Sequence, residues 1–441
     1  MAELSFTPSE DVTVLLNALL DIYERRRSHS CTCPASSLME TKEPYYYPDE
    51  GMRSIKVDLD DIELPNYFSQ IDPNPREITN EQLQTLEQKG WLRLIWQPGE
   101  SRHLLEGIVV HPDCAPHLFK LLERMHPNQK RAQLADLIFG ENFRFRGDWR
   151  ERAIRHILTQ LKQGKSPAPF SLADRQFNED LLMALAAVET IIVETPYRVF
   201  SVRLFNNSKR FEELKSALVR LARLGHSEWR ELSSQDVLHE LNLVPNPDYL
   251  YLSGPWHLVD DLGQMISLGE FSPSVGIPAN QVARLQRVTV HASEVICVEN
   301  PTSFHELNRG KPPSIATICL WGNPSPACRH LLGYLVENLP ENIPLQVWSD
   351  LDYGGFNILA MLRKHVNSRF QPYMMDIETL EKHSLWASPL TQRDQRNLKR
   401  LSLNPALTDV KPVIMHLLQR NLKLEQEAIS FFLRNKNTPS V

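Results

Sequence analysis

Three carboxylates in this sequence fall where chemistry could use them. Val295-Ile296-Cys297-Val298 is a short apolar run that ends in Glu299, and Leu345-Gln346-Val347-Trp348 is another that leads through Ser349 to Asp350 and Asp352. Acids gathered at one spot repel one another, and burial raises their pKa values unless a cation sits among them. Oxygen-only ligands favour Mg²⁺ or Mn²⁺ over zinc, and Mg²⁺ held by one or two carboxylates and water commonly serves phosphate substrates. Asp350 and Asp352 lie two apart, so a regular strand would direct both to one face, and at a strand end they can share an ion. Gly354 and Gly355 follow, and would let the backbone approach a phosphate at a helix start. A lone Asp-x-Asp is usually a solvated loop; the joint placement of all three acids after apolar strands is what points to a metal site.

Such convergence requires a particular scaffold. Both runs read as buried parallel strands, being short, rich in β-branched or aromatic residues and followed by turn residues. Between them lies a third apolar run at 314–321, and then Gly322-Asn323-Pro324 opens a helical pattern over 327–338. This alternation predicts an α/β layer with a parallel sheet, whose functional groups collect at the carboxyl ends of the strands. A helix over 356–365 and an apolar stretch over 369–375 complete the layer. A last helix, over 413–432, carries Glu425 and Glu427.

The spacing of Glu299, then Gly322-x-Pro324 with Arg329, then Asp350-x-Asp352-x-x-Gly355 resembles the Toprim domain of topoisomerase VI A subunits and their meiotic relatives. The chain is more similar still to JetD-type subunits of Wadjet plasmid-defence systems. The resemblance is carried by Val298-Glu299-Asn300-Pro301-Thr302-Ser303-Phe304, Ser349-Asp350-Leu351-Asp352-Tyr353-Gly354-Gly355, Phe205-Asn206-Asn207-Ser208-Lys209-Arg210 and Leu424-Glu425-Gln426-Glu427. It is specific over residues 200–429 and architectural before them. It implies a metal-dependent DNA endonuclease with Glu299, Asp350 and Asp352 as catalytic and metal-ligating residues and Mg²⁺ or Mn²⁺ as cofactor. It also implies double-stranded plasmid DNA as substrate, an SMC-like motor complex with kleisin-type subunits as partner, and a homodimer with one active site per strand. Glu299 serves as ligand or as general base, since both roles need an ionised carboxylate. Glu427 or Glu425 folds back to the metal, or both are ordinary surface acids. The topoisomerases attack DNA with a tyrosine in Arg-x-x-Tyr-Tyr; here Tyr197 is followed by Arg198 instead. That departure favours direct hydrolysis over a tyrosine transesterase. A non-catalytic DNA-binding or assembly subunit is the other alternative.

The rest of the chain fits a multidomain α/β + α protein. The expected parts are a winged-helix-like domain (1–115), a helical basic arm and linker (116–175), a CAP-like domain (176–285) and the Toprim domain with its C-terminal helix (286–441). The formal net charge of −6 over 441 residues is evidence against a nucleic-acid partner unless positive charge is clustered. No apolar run approaches a membrane span, the acidic start does not read as a signal, and the six scattered cysteines suit a reducing cytoplasm.

Residues 11–27 form an amphipathic helix. After it, His29, Cys31 and Cys33 lack a fourth zinc ligand nearby, and Tyr45-Tyr46-Tyr47 sits in the same loop. A strand over 53–59, a helix over 81–89 and a hairpin over 91–110 suggest a winged helix that contacts either DNA or protein. Residues 113–165 are helical and basic. Arg144, Arg146 and Arg150 interleave there with Phe143, Phe145 and Trp149, either against a phosphate backbone or as a solvated face. A helix over 178–193 and a strand over 198–205 precede a turn at 206–208 and a helix over 211–224. Lys209 and Arg210 stand at the start of that helix, where the dipole favours anions, and a bound phosphate would rationalise them.

Overall fold

The computed structural model describes residues 7–25, 54–64, 66–140, 145 and 147–429. The His29/Cys31/Cys33 loop, the Tyr45–Tyr47 run, Phe143, Arg144 and Arg146 lie outside the described residues. The chain divides into two compact units, Met1–Ala186 with Leu214–Arg230, and Ala187–Glu213 with Glu231–Val441. No described helix is long and apolar enough to cross a membrane.

In the first unit, α1 (Glu10–Arg25) buries Val12, Leu15, Leu16, Leu19 and Leu20, the stripe expected of a 3.6-residue period. It packs on a small antiparallel sheet, with β1 (Ile55–Asp58), α2 (Asn74–Gln88), β2 (Arg93–Trp96) and β3 (Leu105–Val110) in the strand order β1-β3-β2. The hairpin expected over 91–110 is present. Inside this core the Tyr67 hydroxyl donates to Asn80 Oδ1 (2.9 Å) and accepts from the Leu105 amide (2.9 Å), so its polar tip is satisfied where burial would otherwise penalise it. Helices α3 (Ala115–Leu121), α4 (Pro127–Phe139), α5 (Trp149–Lys162) and α6 (Arg175–Ala187) follow. The last ends before 193; a 3₁₀ turn (Val188–Thr190) succeeds it, and Ile192 and Val193 are exposed.

The second unit begins with β4 (Thr195–Pro196) and α7 (Tyr197–Phe205), which corrects the strand expected over 198–205. Tyr197, Phe200 and Ser201 are buried and Leu204 is half-buried, the i, i+3, i+4, i+7 face of a helix, while Val199 and Val202 face solvent. Asn206, in the left-handed conformation at φ 51°, caps its end. Helix α8 (Arg210–Gly225) follows and belongs from Leu214 onward to the first unit; the second unit resumes with α9 (Ser234–Glu240), β5 (Leu243–Val244), β6 (Tyr249–Ser253), β7 (Trp256–Asp260), β8 (Met265–Ser267), β9 (Val275–Pro278) and β10 (Leu285–Val290).

The α/β layer is then built from β11 (Glu294–Val298), α10 (Pro301–Gly310), β12 (Ile315–Cys319), α11 (Pro326–Asn338), β13 (Leu345–Trp348), α12 (Tyr353–His365) and β14 (Gln371–Pro372). The six-stranded sheet runs β14-β13-β11-β12-β6-β9; β11 is parallel to both β12 and β13, and β6 and β9 are antiparallel additions at one edge. Val295 to Val298 are all fully buried, as expected of a central strand covered on both faces. Cys297, Cys319 and Cys328 are free thiols in this core.

The chain closes with α13 (Ile377–Lys382), β15 (Ser388–Pro389), α14 (Gln392–Leu401), α15 (Lys411–Arg420) and β16 (Leu422–Lys423). The single helix expected over 413–432 is therefore corrected. Asn421 adopts φ 55° and ends α15, residues 422–424 pair as extended chain, and a new helical turn starts at 426.

Candidate active site

The two central parallel strands deliver the acids. Glu299 follows β11 directly; its amide donates to the Trp348 carbonyl (2.9 Å), and its own carbonyl accepts from the Gly322 amide (3.1 Å). Its Oε2 accepts from the Asp350 amide at 3.2 Å, so the carboxylate reaches across to the loop after β13. Neither aspartate lies on a strand. Asp350 Oδ1 accepts from the Gln426 amide (2.7 Å), and Asp352 caps α12 by accepting from the Gly355 amide (2.9 Å). A Cβ on Gly355 would stand 2.1 Å from the Asp350 carbonyl oxygen and 2.9 Å from Ser349 Cβ. Close backbone packing, more than access for a phosphate, is thus what requires glycine there.

The electrostatics follow from this crowding. Burial pushes Glu299 up to about 8, with the Asp350 and Asp352 charges adding and the Asp350 amide and Ser349 opposing. Asp350 is raised to about 7, again mostly by burial; the Gln426 amide opposes, while Asp352, Glu427 and Glu425 add. Asp352 is raised by burial, with the Gly355 amide and Lys423 opposing. Three half-buried acids thus share one region with little positive charge to offset them, the situation a cation relieves.

Among the described residues no three His, Cys, Asp or Glu side chains form a ready-made ligand cluster. The carboxylates are turned in part towards backbone amides. A hard cation taking one or two of them, with water elsewhere, suits this donor set; a closed cage of protein ligands does not.

Two residues complete the neighbourhood without having been legible. Gln426 is fully buried; its Oε1 accepts from the Asn300 amide (3.0 Å) and its Nε2 donates to the Trp348 carbonyl (3.1 Å). With its own amide on Asp350, it ties the loop after β11 to the loop after β13. The neighbouring Leu424 pairs with Leu351 in both directions (2.9 and 3.3 Å). Trp321, at the end of β12, is 54% exposed and held at φ 57°, a rare conformation for a bulky residue and one that collects at functional sites. Gln426 stands in the sequence only as a member of Leu424-Glu425-Gln426-Glu427, with no sign of its role, and nothing around Trp321 marks it.

The segment 425–427 runs beside these loops. Asn300 Nδ2 donates to Glu427 Oε1 (2.5 Å), and Glu425 and Glu427 both act electrostatically on Asp350.

The expected cations are differently placed. Arg329 forms a two-pronged pair with Glu240 (2.7 and 2.8 Å) and also donates to the Pro324 carbonyl (2.9 Å). Arg150 is buried, pairs with Asp148 and lies over the Phe145 ring. Arg210 pairs with Glu213, while Lys209 is exposed. Tyr197 is buried against Phe211, and burial pushes its hydroxyl up to about 12.

Residues 259–437 match the family described as Wadjet protein JetD, C-terminal. A protein named Wadjet protein JetD, from Bacillus cereus (strain Q1), is 24% identical over 371 residues, covering 82% of this chain and 88% of that relative.

Proposed function

Because the chain is of the JetD type, we propose that it is the nuclease subunit of a Wadjet-type anti-plasmid complex. On this reading it hydrolyses plasmid DNA with Mg²⁺ or Mn²⁺ at Glu299, Asp350 and Asp352. The observation that carries the proposal is the convergence of three half-buried acids, two of them raised to about 8 and about 7, at the carboxyl ends of adjacent parallel strands. Such a site is costly to build and stands idle unless a cation and an anionic substrate enter it.

A bound divalent cation would polarise a phosphoryl oxygen and neutralise charge developing in the displacement. Asp350 and Asp352 are the residues that would hold it. Glu299, reaching over from the neighbouring strand, would be a third ligand or would accept the proton of the attacking water. Gln426 acts as a positioning residue, since it fixes the two acid-bearing loops relative to one another. A transesterase draws no support from Tyr197, because a buried hydroxyl with pKa about 12 is a poor nucleophile.

The test is supercoiled plasmid incubated with the full chain, its complex partners and Mn²⁺, with and without protease before the gel. Loss of cutting in Glu299→Gln and Asp350→Asn, with ends free of protein, is the expected result. Undiminished cutting by either variant, or protein-linked ends, would sink the reading.

A further inference from the structure

We propose that the exposed face of α14 is a tract for the phosphate backbone of duplex DNA, lying beside the acid loop. The inference rests on the nuclease reading for its choice of polyanion. Helix α14 reads Gln-Arg-Asp-Gln-Arg-Asn-Leu-Lys-Arg-Leu, four cations against one acid, in a chain whose net charge is −6. This is the clustering that an acidic chain needs if it is to hold nucleic acid. Leu398 and Leu401 are buried, and Arg393, Arg396, Lys399 and Arg400 are all exposed. Arg393, Arg396, Lys399 and Arg400 follow i, i+3, i+6, i+7 spacing, one stripe about 10 Å long. Over that distance one strand of a duplex presents about three phosphates.

Three contacts tie the stripe to the site. Arg400 lies close enough to the Tyr353 hydroxyl, next in sequence to Asp352, to oppose the rise that burial gives its pKa. Lys423 Nζ stands 3.5 Å from Asp394, on the first turn of α14, and its charge also acts on Asp352. Gln395 Nε2 donates to Asn421 Oδ1 (2.8 Å), fastening the helix to the segment that leads into Gln426.

The protein's own acids offset only part of this charge. Glu231 is shared loosely between Arg393 (3.3 Å) and Arg400 (3.5 Å). Arg396 Nε reaches only the Gln392 carbonyl (3.3 Å), and among the described residues neither Arg396 nor Lys399 has a carboxylate within ion-pair distance. Like charges so placed on one helix repel, and a bound polyanion removes that cost.

The experiment measures binding of the full chain to a fluorescent random-sequence duplex in EDTA, between 50 and 200 mM KCl, for wild type and Arg396→Gln/Lys399→Gln. Each phosphate contact contributes about 0.9 to the slope of log affinity against log salt. The double variant should therefore show a slope shallower by about 2, so that a fourfold rise in salt costs wild type about twelvefold more affinity than the variant. Arg396→Lys/Lys399→Arg, which keeps both charges, should retain the wild-type slope. An unchanged slope in the neutral variant overturns the proposal, as does failure of wild type to bind duplex. An unchanged slope with loss of a protein partner from the complex would assign the face to an acidic protein surface instead. Cleavage is read separately: wild type that binds with the expected slopes but never cuts would overturn the nuclease reading and leave the tract standing.

Discussion

Adding a divalent cation to the metal-free protein should expel protons, and the acid loops determine how many. Glu299 titrates near pH 8 and Asp350 near pH 7, because burial and mutual repulsion favour their neutral forms. At pH 7 the first is about nine-tenths protonated and the second about half, so a cation that needs both ionised should release about 1.4 protons. The figure should rise to about 1.9 at pH 6 and fall to about 0.1 at pH 9. Calorimetric titration with Mn²⁺, in paired buffers of different ionisation enthalpy at each pH, counts the protons directly. Glu299→Gln should cut the release at pH 7 to about half a proton or less, because removing one charge also eases ionisation of Asp350. Zero release at pH 7, or release that grows with pH, would refute the reasoning. Stability carries the same sign. Both folded pKa values lie above the ordinary carboxylate range, so the native state binds more protons than the unfolded chain between about pH 4 and pH 8. In chelator the stability these two groups contribute should be fully present below about pH 4 and be lost as pH rises from there towards 9, and saturating Mn²⁺ should flatten that decline.

Three substitutions test the scaffold. Gln426→Leu keeps the side-chain volume but leaves the Asn300 amide unpaired and removes one of the two donors to the Trp348 carbonyl, at about 1–3 kcal/mol; urea unfolding should show it, and Mn²⁺ affinity should fall with it. Gly355→Ala puts a methyl 2.1 Å from a backbone oxygen, so the loop must shift at a cost of about 3 kcal/mol, read as a lowered urea midpoint. Glu240→Ala strands Arg329, in a pair whose side chains are only 18% and 14% exposed, and should cost about 2–4 kcal/mol by urea unfolding, with Glu240→Gln losing less.

Much of the site was legible locally. A fully buried parallel strand must be apolar along its whole length, so Val295 to Val298 and the run from Leu345 announce themselves, and the acids that follow them must lie at the sheet's edge. Residues 197–205 were not legible, because alternating Val, Phe and Leu among arginines fits a strand's period as well as a helix's. The break at Asn421 was missed because the residues on either side of it form helix well.

What only the tertiary structure decided is which groups meet. Gln426 lies 126 residues from Asn300, and it matters only because residue 424 runs beside residue 351. Whether a cation faces solvent or a carboxylate is equally a matter of chain path: Arg329 is taken by Glu240, 89 residues away, while Arg396 and Lys399 are left to the surface. The proton affinities of Glu299 and Asp350 belong to the same class, since burial and neighbouring charge are properties of the assembled core, and no short stretch of sequence contains them.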